Sequence, residues 1–160
     1  MHSSTIGKVG AGAACCWMLL VSALAIAQQT VEVTNAWARA TVPAQKAGGV
    51  FMDLRSPVSA RLISVSSPIA GTVQIHNMKM ENGIMKMFAV DGIDLPPGQT
   101  VKLAPGGYHV MLLGLKRQIK EGDTIPLSLV VEGPDGKRET LQVNARARAV
   151  NAPAHGMDGH

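Results

Sequence analysis

Cysteine is nearly absent. Of 160 residues only Cys15 and Cys16 carry a thiol, and both fall in the leading apolar stretch. Everything downstream therefore lacks a disulfide framework, a thiol nucleophile, a zinc–thiolate cluster and the cysteine-bearing type of blue-copper centre. Aromatic residues make up 3% of the chain and do not interleave with the basic ones. Neither a base-stacking platform nor a phosphate-tracking groove is supported, so no nucleic-acid partner is expected. The formal net charge of +4 is modest. Lys102, Lys116, Arg117, Lys120, Lys137 and Arg138 are spread among acids as on a solvated surface. Helix-period apolar stretches are scarce, and one long apolar run exists, at residues 11–27.

That run follows a polar start with Lys8 as its single Lys or Arg, and it ends Ala25-Ile26-Ala27. A charged start, a short apolar centre and a small-x-small end make a secretory signal peptide, cleaved after Ala27. It is too short to favour spanning a bilayer, and no other run is apolar enough, so no stable membrane span is expected after cleavage. A retained anchor is the competing reading. Gly12-Ala13-Ala14-Cys15 lacks the large aliphatic residue that a lipoprotein signal wants before its cysteine. Removal of residues 1–27 leaves 133 residues, the size of one domain with one core.

Short apolar segments recur with turn signals every eight to twelve residues. Strands are expected at 31–40, with Val31, Val33 and Trp37 turned inward, and at 49–54 and 60–66. Others follow at 73–81, 84–90, 101–103, 108–113, 123–132 and 138–143. Pro68 with Gly71, Asp91-Gly92, Pro96-Pro97-Gly98, Pro105-Gly106-Gly107 and Pro134-Asp135-Gly136 separate them. This pattern indicates an all-β sandwich in one domain, 28–144. At Ala145 the composition changes, and residues 145–160 are expected to form a disordered tail.

Methionine is abundant where cysteine is missing. Five of the seven methionines that follow residue 27 lie in His76-Asn-Met78-Lys-Met80-Glu-Asn82-Gly83-Ile-Met85-Lys-Met87 or in His109-Val110-Met111. Asn82-Gly83 is a strong hairpin signal, because a type I′ turn needs positive φ at both central residues. With Glu81 paired to Ile84, Met80 faces Met85, Met78 faces Met87 and His76 lies diagonal to Met87. All five then project from one side, since side chains alternate along a strand. His109 and Met111 likewise share a face. Imidazole nitrogen and thioether sulfur suit copper, above all Cu(I), whereas carboxylates, which suit calcium or magnesium, are missing from these positions. Methionine stripes are more often packing than ligands. The conjunction of two histidines, several methionines and no thiol is what points to metal.

The spacing His76, ten residues, Met87, twenty-one residues, His109, one residue, Met111 resembles the motif of the PCu(A)C family of periplasmic copper(I) chaperones. Asn35-Ala-Trp37-Ala-Arg39, Gly48-Gly-Val-Phe51-Met52, Val65-Ser-Ser-Pro68 and Pro105-Gly-Gly-Tyr108 add to the resemblance, which covers residues 31–143. It implies a cupredoxin-like Greek-key β-sandwich, or barrel, with a solvent-accessible Cu(I) site near one end. It also implies His76, Met87, His109 and Met111 as ligands, a periplasmic location, and delivery of copper to the binuclear centre of cytochrome c oxidase. The acceptor would be an oxidase subunit or a thiol-bearing assembly factor.

Met78 is a further candidate, as a spare thioether or transfer partner, while Met80 and Met85 are read as lining residues. In the tail, His155-x-Met157 repeats the spacing of His109-x-Met111, and His160 adds a third donor. Two readings stand: a plain soluble tail, or an auxiliary site that accepts Cu(II) as well as Cu(I). No Ser-His-acid or paired-carboxylate constellation surrounds the histidines, so an enzyme is not expected. A copper-dependent oxidase, a copper-tolerance or sequestration protein, and a metal-free β-sandwich module remain alternatives.

Overall fold

A computed structural model describes residues 31–151. The segment expected to be a signal peptide, with Cys15 and Cys16, and the expected tail donors His155, Met157 and His160 lie outside them. Among the described residues there is no helix long and apolar enough to cross a membrane. The architecture is all-β. Ten strands follow in order: β1 (Glu32–Arg39), β2 (Ala47–Arg55), β3 (Ala60–Ser66), β4 (Ala70–Glu81), β5 (Ile84–Val90), β6 (Ile93–Leu95), β7 (Thr100–Leu103), β8 (His109–Leu115), β9 (Thr124–Glu132) and β10 (Arg138–Arg148). The pairing path runs β5-β4-β8-β2-β1-β10-β9-β3-β6, with β7 on β2. Neighbours far apart in sequence, such as β4 with β8 and β3 with β9, are the crossovers of a cupredoxin-like β-sandwich.

Period-two alternation builds the core. Ile125, Leu127, Leu129 and Val131 of β9 point inward, as do Val50, Met52 and Leu54 of β2 and Val110 and Leu112 of β8. Met52 is thus a packing residue. Their neighbours on β2, β4 and β8 necessarily occupy the opposite, outward face.

Four features depart from the sequence expectation. β6 is an unexpected strand: Ile93 and Leu95 are buried and pair with Leu62 and Ala60 of β3. Three residues between Gly92 and Pro96 leave too little pattern to read. β4 starts at Ala70, passing through Gly71, which abuts the backbone of Gly114 and Leu113.

Trp37 does not join the main core. β1 carries an extra residue between Thr34, paired with Asp53, and Trp37, paired with Phe51; Asn35 takes up a φ of 52° there and donates a hydrogen bond to Asp53 at 2.8 Å. Such a bulge inverts the alternation. Val31 and Val33 pack toward the core as expected, Ala38 replaces Trp37 as the inward residue, and Trp37 stacks on Phe51 on the outward face.

The domain does not end at 144. β10 continues through Arg148, and residues 146–148 pair in parallel with Trp37, Ala38 and Arg39 of β1. Ala145 and Ala147 are buried. Arg-Ala-Arg-Ala is a strand alternation with the smallest inward side chain, so its hydrophobic signal is faint. A chain ending at Asn144 is therefore expected to lose about 2 kcal/mol or more of stability, at ~1 kcal/mol per forfeited ladder hydrogen bond. A chain ending at Asn151 should keep the full value. Urea unfolding of the two checks this.

Candidate metal site

The Asn82-Gly83 turn folds as its residues require, with φ of 51° and 77°. Its hairpin has the expected register: Glu81 opposes Ile84, Met80 opposes Met85, and Met78 opposes Met87. Glu81 holds Lys86 and, at 3.6 Å, Lys79 in ion pairs. Lys79 also lies 5.5 Å from the Phe88 ring centroid. These contacts stiffen the hairpin on the face away from the methionines.

The tertiary fold then does what the hairpin cannot. β8 docks on β4 so that His109 sits directly opposite His76, and Met111 opposite Gln74. The two imidazole centroids are 5.6 Å apart in an edge-on arrangement. His109 Nε2 comes within 3.1 Å of Met87 Sδ. Met111 is half-buried on the same face of β8, two residues from His109. Met78 is half-buried beside Met87.

Second partners decide which nitrogens are free. The Gly107 carbonyl lies 3.0 Å from His109 Nδ1 and can only accept, so in the neutral ring Nδ1 carries the proton and Nε2 keeps its lone pair. That lone pair faces a sulfur lone pair with no proton between them, an arrangement that favours a cation. His76 Nε2 donates to Gln74 Oε1 at 2.8 Å. Its Nδ1 is buried and has no hydrogen-bond partner. A bare buried nitrogen is costly unless something occupies it. Two free imidazole nitrogens and two thioethers form a neutral, soft donor set, which fits Cu(I). Among the described residues no group of three or more His, Cys, Asp or Glu side chains is placed to hold a metal ion.

Two supporting groups, Gln74 and the Gly107 carbonyl, are additions to the sequence reading. Gln74 and the Gly107 carbonyl set the two tautomers, as outer partners of metal-bound histidines commonly do. Gln74, two residues before His76 on the same face, was a readable signal; the carbonyl was not. Phe51 lies 6.2 Å from His109 and 4.5 Å from Trp37, centroid to centroid. Arg39 and Arg148 lie over Trp37 at 5.8 and 5.0 Å. This stack leaves His109 only 5% exposed, whereas Met87 is 48% exposed. The position of a Cβ on Gly49 would lie 3.1 Å from Phe51 Cζ, so glycine here leaves room for the ring.

The all-β sandwich and the clustered histidines and methionines define a class, and comparison with known proteins gives the family. Residues 31–146 match the family model described as "Putative lipoprotein LpqE-like". The chain belongs to this family, which is of the PCuAC type. "Putative lipoprotein Lxx21020" of Leifsonia xyli subsp. xyli is 35% identical over 102 residues, covering 62% of this chain and 60% of that protein's length. Among solved structures, the copper-bound PCuAC domain from PmoF2 is 26% identical with a TM-score of 0.60, covering 74% of this chain and 92% of that one. The solution structure of CuI-DR1885 from Deinococcus radiodurans is 32% identical with a TM-score of 0.51, covering 78% and 83%.

Burial, and then the neighbouring His109, lower the pKa of His76 from its ordinary value of 6.5. The neutral, ligating form is favoured to more acidic pH than in a free imidazole. By linkage, the unfolded chain takes up its proton first, so metal-free stability falls as pH drops below 6.5. Proton NMR of the metal-free protein should give a His76 ring midpoint below 6.5; a midpoint at or above it would contradict this burial. Gly49→Val should displace Phe51 and lower stability by about 1–3 kcal/mol, measured by urea unfolding.

Proposed function

We propose that this chain is an exported, periplasmic copper carrier rather than an enzyme, with His76, Met87, His109 and Met111 as the four ligands to Cu(I). The observation that carries the reading is the convergence of His109 Nε2 on Met87 Sδ at 3.1 Å, beside the unpartnered Nδ1 of His76. Relatives described as a copper-bound PCuAC domain and as CuI-DR1885 support it.

Each residue has a separate task. His109, nearly buried and held by Gly107, is the fixed anchor. His76 supplies the second nitrogen, its ring held by Gln74. Met87 and Met111 supply thioethers, which carry no proton and therefore stay competent when acid weakens the imidazoles. Two thioethers favour Cu(I) over Cu(II), which suits carriage in preference to redox cycling. Exposure of Met87 lets an incoming donor bond to the metal before the old bond breaks, so copper passes without release into water. The acceptor in this reading is a subunit of cytochrome c oxidase, at its binuclear copper centre, or an assembly factor. His155, Met157 and His160 add a weaker auxiliary site able to take Cu(II).

Anaerobic competition for Cu(I) against a coloured chelator tests the assignment. The intact protein should take one tight Cu(I). His109→Ala and Met87→Leu should each weaken it at least about tenfold, or ~1.4 kcal/mol, while a chain ending at Val150 should retain it. Undiminished binding by both substituted proteins would reject the four-ligand site.

A further inference from the structure

The hairpin projects past its support. β8 pairs with β4 as far as His76 opposite His109, and beyond that point residues 77–81 pair only with β5. On this arm Met80 and Met85 are 63% and 43% exposed. Gap-filling, the usual reason for methionine, cannot explain side chains that fill no gap. Alternation places Met78, Met80, Met85 and Met87 together on one face, and Lys79, Glu81 and Lys86 on the other. The methionine face therefore carries four thioethers and no charge, arranged as two directly opposed pairs. Opposed side chains start about 5 Å apart at Cβ. Successive pairs are about 7 Å apart along the strands, within reach of a side chain with three rotatable bonds.

We propose that Met80 and Met85, assisted by Met78, form a second, outer Cu(I) site that receives the metal and hands it down the arm to Met87. The hand-over rests on the Cu(I) reading of the central site. It is a ligand exchange: a bond from copper to Met87 Sδ forms as the bond to Met85 Sδ breaks. Copper stays Cu(I), and no proton moves, because thioethers carry none. The outer site has only thioethers, whereas the central site adds two imidazoles held by Gln74 and Gly107. The central site is therefore the tighter, and metal runs inward. The exposed end of the arm would meet whatever donor brings copper, which places loading at the turn and retention at the sheet.

The test is NMR of the intact protein labelled with carbon-13 at its methionine methyls and titrated anaerobically with Cu(I). The first equivalent should move Met87 and Met111, and a further equivalent should move Met80 and Met85. Met80→Leu with Met85→Leu should abolish the further step alone, leaving the first step and the amide spectrum of the sandwich unchanged. Met157, resolved separately, reports binding at the tail. If Met87 and Met111 respond while Met80 and Met85 stay still through excess Cu(I), the outer site is wrong and the central one stands. If Met80 and Met85 respond without Met87 and Met111, the central reading fails and the hand-over with it.

Discussion

The site depends on one register, His76 against His109 across β4 and β8. These strands are separated in sequence by β5, β6 and β7, so no local preference brings them together. A slip by one residue would send one imidazole into the core and an aliphatic side chain out. The register is held from the core side, where Ile75 opposes Val110 and both are buried. Moving either to the outward face would expose a large apolar side chain, at roughly 1.5–3 kcal/mol each. The hydrophobic core thus aligns a polar, metal-directed face that it does not itself contain.

That outward face has its own small packing unit. Trp37 reaches it because a bulge at Asn35 inverts the alternation of β1, and Phe51 has room there because Gly49 has no side chain. Together with the Arg39 and Arg148 guanidiniums they wall in His109 on one side. The hairpin side remains open at Met87. A closed wall and an open thioether give the site a retained end and an exchanging end, the combination a carrier requires.

Much of this was legible in the residues. Asn82-Gly83 specified the turn, and with it the Met78–Met87 and Met80–Met85 pairs, because a two-residue turn of that type leaves one register. The all-β class followed from segment length and turn spacing. Contacts that cross the sheet were not readable: nothing near Trp37 announces a bulge, and an alanine alternation at residues 145–148 has too little hydrophobic contrast to mark a buried strand. The four candidate ligands came from the resemblance of their spacing to a family motif, but their geometry did not. The Gln74 and Gly107 partners that leave Nδ1 of His76 and Nε2 of His109 free each lie two residues before their histidine; Gln74 shares the face of His76 and was readable, whereas the aim of the Gly107 carbonyl is set by the loop before β8.

The central claim is that the two imidazoles and two thioethers of this face bind one Cu(I) together. X-ray absorption at the copper edge, on the chain ending at Val150 loaded anaerobically with one equivalent, tests it most directly. The account predicts a Cu(I) edge with nitrogen and sulfur both in the first shell, in equal number, and imidazole outer-shell scattering. A shell of nitrogen and oxygen alone, or of sulfur without imidazole, would contradict it.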